Sequence, residues 1–311
     1  KFNYMKIFLT KINESWIVDR MRSDWYEYNS EISTESLRSS DIIWIISPWL
    51  WKKIPKKHLK SKNVVCSIYH IDFKSFDEEE KEDFFERDKY VDFYHVISLK
   101  TKKQLETITD KKIISIPLWI NQNNWFYIEN KNQLRHDFNL NEEDYLIGSF
   151  QRDTEGHDLI SPKLIKGPDI FLDIVEEICS INKNAKVVLS GTRRNYLINN
   201  FEEKDIPYIY YEMVDLQTLN KLYNVLDLYI VSSRIEGGPQ AIVECSITKT
   251  PLVSTDVGVA QEILHPESIF KEGKFESAVP NVDYAFKNSQ KYKIPEGMKD
   301  YVKMFKDHYE N

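Results

Sequence analysis

Short, almost wholly apolar runs recur along the first part of the chain: K-I-F-L-T from Lys6, then D-I-I-W-I-I, V-V-C-S-I-Y, Y-H-V-I-S and K-I-I-S-I-P. Between them lie polar stretches with apolar residues at helical spacing, Ser15 to Tyr26 and Asp77 to Tyr90. A run apolar on both faces is a strand covered from both sides, so the alternation predicts a parallel sheet under helices. The pattern resumes with a strand from Tyr145 to Phe150 and a helix from Pro168, whose Ile170, Phe171, Ile174, Val175 and Ile178 share one face. Strands follow in K-V-V-L-S and I-P-Y-I-Y-Y. Asp215 then caps a helix presenting Leu216, Leu219, Leu222, Tyr223 and Leu226 to the core, and Leu228 to Val231 and Pro251 to Ser254 are the next strands.

The two series are separated by I-P-L-W-I-N-Q-N-N-W-F-Y-I-E-N-K-N, a polar segment with Pro117 and a cluster of asparagines. This predicts a first domain over 1–130, a second over 131–295, and a last amphipathic helix over 296–311 with Tyr301, Met304, Phe305 and His308 on one side. A length of 311 residues suits two ordinary cores better than one. The net charge of -7 argues against nucleic acid as the main partner, because phosphate binding rewards a basic surface. The longest apolar stretch, Ile42 to Trp51, is about half a membrane span and is broken by Pro48, so a transmembrane helix is not expected there. The opening residues hold too short an apolar run for a secretory signal. Cys66, Cys179 and Cys245 have neither disulfide nor zinc spacing, which points to buried thiols in a reducing, cytoplasmic setting, with peripheral membrane contact left open.

Candidate chemistry concentrates between Arg234 and Leu264. Ser232-Ser233 ends a strand, Glu236 precedes Gly237 and Gly238, and Pro239-Gln240 opens a helix that carries Glu244. The glycines allow a sharp turn and close backbone approach to a ligand, and the helix N-terminus offers free N–H groups to an anion. Because that helix is apolar on nearly every side, Glu244 is expected to be buried and to require hydroxyl partners, such as those of a ribose or a sugar. Upstream, Arg152 and Lys166 bracket a long loop, and Gly167-Pro168 gives the next helix a tight entrance; two cations beside a helix N-terminus suit a diphosphate. His70 ends a strand, where open α/β sheets carry ligand loops.

Two glutamates separated by seven residues around a glycine pair, with the Gly148-to-Lys166-Gly167 strand and loop before them, resemble the retaining GT-B glycosyltransferases of family 4, the glycosyl transferases group 1. The resemblance is strongest from about 145 to 270. It implies two Rossmann-like domains facing across a cleft, with the last helix crossing back onto the first, and transfer of a sugar from a nucleotide-diphosphate sugar to a hydroxyl of a saccharide, glycolipid or other acceptor. No cofactor beyond that co-substrate and no metal is implied. By the resemblance Glu236 holds the donor sugar, Gly237, Gly238, Pro239 and Gln240 meet sugar and phosphates, and Glu244 binds the ribose. Arg152 and Lys166, with Gly148 before them, hold the diphosphate, and Gly191, Thr192 and Met213 neighbour the base. His70 contacts the sugar near the scissile bond, and cleft closure completes the site. Asp256 and Glu262 are further candidates at the turn that contains Gly258.

The first half departs from the pattern. All nine glycines fall at or after Gly148, so the family's glycine loop after the first strand is replaced by N-E-S-W-I-V-D-R; likewise Leu118-Trp119 stands where Asn-Gly is usual. Acceptor contacts are assigned there to Asp19, Arg20 and Trp49. All seven tryptophans, Trp16, Trp25, Trp44, Trp49, Trp51, Trp119 and Trp125, precede residue 126, and Trp49 and Trp51 are the ones expected to stack on a sugar rather than fill a core. Alternative readings are a GT-B epimerase or phosphorylase, distinguished by their products, and a non-catalytic nucleotide-sugar-binding subunit, distinguished by binding without turnover.

Overall fold

Five parallel strands lie side by side in chain order in the first of two compact units: β1 (Ile7–Leu9), β2 (Ile42–Ile45), β3 (Asn63–Ile68), β4 (Phe93–Val96) and β5 (Lys112–Ser115). The computed structural model describes residues 5–12, 17–156 and 158–310. Of the sequence expectations, Trp16 and residues 13–15, the start of N-E-S-W-I-V-D-R, lie outside the described residues. Helices α1 (Ile17–Tyr28), α2 (Lys56–Leu59), α3 (Glu78–Asp88) and α4 (Leu99–Leu105) connect the strands. Asp77 caps α3 through the Glu80 amide and Ser98 caps α4 through the Thr101 amide, which satisfies donors that a helix start leaves unpaired. The unit comprises residues 1–119 and 294–311, so the C-terminal helix, Lys299–Tyr309, belongs to it.

Tryptophans build this core. Trp25, Trp44 and Trp119 pack with Tyr301 and Phe305 of the C-terminal helix at ring-centroid separations of 5.0 to 6.5 Å, mostly edge-on or tilted. Trp51, expected beside Trp49 as a stacking platform, is instead buried: its ring stacks on Tyr90 and its Nε1 donates to Asp83. Only Trp49 of the two is open, at 56% exposure.

Beneath this cluster His95 is fully buried on β4. Trp44 Nε1 donates to Ser67 Oγ at 2.8 Å, Ser67 Oγ lies 2.8 Å from His95 Nδ1, and His95 Nε2 lies 2.8 Å from the Ile116 carbonyl. A carbonyl only accepts, so Nε2 carries the proton and Ser67 donates to Nδ1. Burial pushes the imidazole down to about 4, against the opposing pull of the Ile116 carbonyl. The unfolded chain therefore takes up this proton below an ordinary value of 6.5, while the folded chain refuses it until about 4. Stability held above pH 6.5 should thus be lost as the pH falls, by about 2 kcal/mol at pH 5. Urea midpoints recorded from pH 7 to 5 should show this slope in the native chain and a flatter one in His95→Gln; equal slopes would remove His95 as the cause.

Residues 120–293 form the second unit, a six-stranded parallel sheet in the order β11-β10-β9-β6-β7-β8. Its strands are β6 (Tyr145–Ser149), β7 (Ala185–Ser190), β8 (Tyr208–Tyr211), β9 (Leu228–Val231), β10 (Leu252–Thr255) and β11 (Ile269–Phe270). The helices are α5 (Lys131–Asp137), α6 (Pro168–Ile181), α7 (Asn195–Glu203), α8 (Leu216–Val225), α9 (Gln240–Thr248), α10 (Ala260–Ile263) and α11 (Val282–Ser289). The unit begins at Ile120 rather than at 131. Ile120 and Trp125 are buried in its core, and the side chains of Asn220 and Asn224 accept from the amides of Phe126 and Ile128 at 3.1 and 2.8 Å. The asparagine-rich segment is thereby fixed onto α8.

Strand order points to the end of this unit where a ligand would be expected. From β6 the chain winds outward through β7 to β8, then returns to the other side of β6 with β9 and winds outward again through β10 to β11. In open parallel sheets, the crevice outside the carboxyl ends of the two strands at such a reversal is where ligands bind. Here those strands are β6 and β9. The first sheet runs β1 to β5 without a reversal among its described strands.

Candidate functional site

Three segments meet outside the carboxyl ends of β6 and β9. One is Phe150 to Arg152 after β6, another is Ser232 to Gln240 after β9, and between them lies the 3-10 turn Leu164–Lys166 that leads into α6. The Ile165 carbonyl accepts from the amides of Arg234 and Ile235 at 2.9 and 3.1 Å. The Lys166 carbonyl accepts from Gln151 Nε2 at 2.9 Å, and Ser233 Oγ donates to Gln151 Oε1 at 3.3 Å. Thr255 Oγ1, at the end of β10, donates to the Ser233 carbonyl at 2.5 Å. These bonds join segments that are distant in sequence and fix their backbones.

Gly167 is required by this contact. Its φ is +61°, and a Cβ there would fall 1.9 Å from the Ser232 carbonyl oxygen. Gly258 does the same on the far side of the turn: with φ +49°, its missing Cβ would lie 2.4 Å from the Gly237 carbonyl oxygen, so the β10 loop presses directly on the glycine pair. Arg234 binds both carboxylate oxygens of Asp169 in the first turn of α6, at 2.8 and 2.7 Å, and also pairs with Glu272. Those hydrogen bonds raise the guanidinium's already high proton affinity further.

Within this frame Lys166 and Glu236 are brought together: Lys166 Nζ forms an ion pair with Glu236 Oε1. Their side chains are 20% and 13% exposed, so the pair is mostly shielded but reachable. An ammonium has three N–H donors, and one on Glu236 leaves two to be directed elsewhere. Pro239 occupies the N-cap of α9, one position earlier than a first-turn proline, and Gln240 begins the helix. Residues Ile242 to Thr248 are all buried, Glu244 among them at 5% exposure. The carboxylate's hydroxyl partner in the structure is Tyr223, which donates to Oε2 at 2.7 Å. Asp256 accepts from Gln261 Nε2 at 2.9 Å, and Glu262 lies on α10.

Of the remaining sequence candidates, Arg152 and Gly191 lie beside this site and the others lie away from it. Arg152 follows Gln151 at the end of β6, half-buried and engaged in an interaction of its own. Gly191, with φ +89°, sits after β7 beside the Phe150 carbonyl, and Tyr210 donates to its carbonyl at 2.9 Å. Met213 follows β8 at the sheet edge and is 72% exposed. Two strand spacings separate β8 from β6, roughly 10 Å. Gly148 is a core position: a Cβ there would meet Leu226 Cδ1 at 2.2 Å and Tyr229 Cδ2 at 3.0 Å, so packing of β6 against its neighbours accounts for this glycine without a ligand. His70, Trp49, Asp19 and Arg20 belong to the first unit. His70 is exposed just beyond β3 and, with Trp49, lines a cavity of about 900 Å³ walled largely by the acidic α3. Asp19 and Arg20 lie half-buried on α1, both held in interactions.

Sequence reasoning overlooked four side chains that shape the second unit's site: Gln151, Arg194, Tyr223 and the Asp169 partner of Arg234. Arg194 is fully buried, with Nε on Asp153 Oδ2 at 2.8 Å and Nη1 on the carbonyls of Ser149 and Ser190 at 2.6 and 2.8 Å. The available signal was the Arg193-Arg194 pair, three and four residues past the end of β7, much as Arg152 lies three residues past the end of β6. Among the described residues no three His, Cys, Asp or Glu side chains converge as metal ligands would, and no helix is long and apolar enough to cross a membrane.

Comparison with known proteins gives this geometry a context. Residues 160–283 match the family described as glycosyl transferases group 1. No curated protein matches the chain in sequence. Among solved structures, HepE of Anabaena in complex with UDP and glucose superposes with a TM-score of 0.73 at 12% identity, covering 97% of this chain and 100% of that one. Sucrose-phosphate synthase from Thermosynechococcus elongatus gives 0.73 at 12%, covering 97% and 81%. The pneumococcal O-GlcNAc transferase GtfA in complex with UDP and GlcNAc gives 0.62 at 13%, covering 95% and 60%. At these identities the likeness is one of fold: two parallel Rossmann-like sheets of the GT-B type.

Proposed function

We propose, from a chain of GT-B fold whose residues 160–283 carry a glycosyl transferases group 1 domain, that this protein moves a sugar from uridine-diphosphate sugar to a hydroxyl of a saccharide or glycolipid. In this reading transfer follows the family 4 pattern, retains anomeric configuration and needs no metal. The supporting observation is the Lys166–Glu236 pair, placed at the strand reversal of the second sheet with the N-terminus of α9 beside it. A departing diphosphate gathers negative charge. Lys166, already fixed by one bond to Glu236, turns its other donors to that charge, Arg152 and the free amides of α9 add to it, and Glu236 orients the sugar through its hydroxyls. Glu244 accepts from the ribose. Uridine is favoured because HepE and GtfA are both seen with UDP.

The acceptor belongs to the first unit in this reading. Its cavity offers an open Trp49 face for a sugar ring, with His70 among its lining residues. The three free thiols suit a reducing, cytoplasmic setting. Calorimetric titration with UDP, ADP and GDP and their glucose and N-acetylglucosamine derivatives, in chelator, tests the donor assignment. Binding of UDP and one UDP-sugar, with ADP and GDP at least about tenfold weaker, is the expected result. Tighter binding of another base would move the assignment to that base, and binding of none would end the transferase reading.

A further inference from the structure

The buried carboxylate of Glu244 is oriented by a residue on another helix. Tyr223 lies on α8 and is 2% exposed; its hydroxyl donates to Glu244 Oε2 at 2.7 Å. Its ring is held on three sides, by Trp125 at 5.6 Å, Phe150 at 4.9 Å and Tyr229 at 5.4 Å between centroids. Its own carbonyl accepts from Thr250 Oγ1, just past α9, at 2.9 Å. Phe150 and Tyr229 are themselves linked, because the Phe150 amide donates to the Tyr229 hydroxyl at 2.9 Å. Phe150 is the residue that opens the crevice side of β6. The phenol is therefore clamped between the helix carrying Glu244 and the strand end that lines the site.

A tyrosine hydroxyl lies in the plane of its ring, so a fixed ring fixes the donor. Burial and the neighbouring Glu244 raise the phenol's proton affinity well above its ordinary value, so it stays a donor throughout the working pH range. A glutamate has three rotatable bonds, and a hydrogen bond from a fixed donor to one of its oxygens restricts the orientation of its carboxylate plane. Preorganised acceptors discriminate strongly between a ligand that supplies hydroxyl donors and one that does not, because the unpaired buried group is costly.

We infer that Tyr223 is a positioning residue for nucleotide selection: by holding Oε2, it aims the Glu244 carboxylate at the ribose hydroxyls and so makes the site specific for ribonucleotides. This rests on the reading of Glu244 as the ribose partner. It concerns binding of the nucleoside half of the donor and leaves the sugar and acceptor untouched.

The test is calorimetric titration of the full chain with UDP and with 2′,3′-dideoxy-UDP, comparing the ratio of their affinities. The native chain should prefer UDP by about tenfold or more, the scale of a hydrogen bond to a charged group. Tyr223→Phe keeps the ring and its packing; it should reduce that ratio severalfold while changing dideoxy-UDP affinity by less than about twofold. A merely structural role for Tyr223 would weaken both ligands together and leave the ratio standing, which overturns the inference. Glu244→Gln alone, whose result does not depend on the folding of Tyr223→Phe, should also reduce the ratio; in the double variant, Tyr223→Phe should change the ratio no further. A full further loss in the double variant would show that the two act separately, against the inference. Should the native chain bind UDP and dideoxy-UDP equally, the ribose role of Glu244 falls and the inference with it, while the donor assignment stands. Binding of neither removes the donor reading and the inference together.

Discussion

Lys166→Ala and Glu236→Ala should each lower turnover by at least about 100-fold, because removing one preorganised charge stabiliser costs on the order of 3 kcal/mol of transition-state binding. The two variants should fail differently. Charge on the leaving diphosphate grows as the glycosidic bond breaks, so Lys166→Ala should lower kcat more than it raises KM for the donor. In the proposed reading Glu236 has two roles, orienting the sugar and fixing Lys166. Its loss frees the ammonium, and Glu236→Gln, which keeps an oxygen for the lysine, should recover part of the rate. The pair is largely shielded, so each single variant leaves one charge without its partner. The surrounding backbone is held by Gln151, Thr255 and the Arg234–Asp169 bridge rather than by this pair, so the fold should persist. Turnover with a UDP-sugar and an acceptor, beside a thermal melt, checks both parts. Near-native turnover in either well-folded variant would remove that residue from catalysis.

How far the sequence reached depended on the range over which each feature is specified. The strands were legible because buried parallel strands are written as continuous apolar runs, and β1 to β5 coincide with the five runs noted first. The Gly167-Pro168 entrance and the Glu236-to-Glu244 stretch were legible for the same reason: the turn, the helix start and the carboxylates sit within a few residues of one another. Side chains whose role depends on a distant partner were not. Nothing near Tyr223 announces Glu244, which lies 21 residues away and meets it only because α8 packs on α9. Tryptophan content in the first half was legible, but its use was not, since residue type does not say which faces are covered. Trp51 and Trp49 differ by two positions on one 3-10 turn and face opposite environments. The boundary of the second unit was misplaced by about ten residues because a run of asparagines reads as linker, whereas Asn220 and Asn224 bind the backbone that follows it.

The largest stability effect should come from a residue that sequence reasoning passed over. Arg194 and Asp153 form a fully buried ion pair that ties the ends of β6 and β7 to the loop leading to Lys166. Asp153 Oδ1 accepts from the Tyr196 amide at 3.1 Å, the Asp153 amide donates to the Arg193 carbonyl at 3.0 Å, and the Lys163 amide donates to the Asp153 carbonyl at 2.8 Å. Despite the adjacent guanidinium, the Asp153 carboxyl is pushed up: burial outweighs the attraction of Arg194 and the hydrogen bonds that oppose it. The pair as a whole is therefore a weak source of stability, and its cost appears when it is broken. Asp153→Ala leaves a buried guanidinium facing only neutral acceptors, the Ser149 and Ser190 carbonyls and the Ser149 hydroxyl, and should lose about 3 to 5 kcal/mol of unfolding free energy. Arg194→Met added to Asp153→Ala removes the stranded charge, so the double variant should be no less stable than Asp153→Ala. A further full loss in the double variant would mean that Arg194 acts through the Ser149 and Ser190 carbonyls rather than through the ion pair. Urea unfolding and hydrogen exchange of residues 145–200 separate these outcomes. Because the loop anchored by Asp153 delivers Arg152 and Lys166 to the site, the native chain at temperatures below the variant's melt should still exceed it in turnover. That would make a residue without any contact to substrate a determinant of the rate.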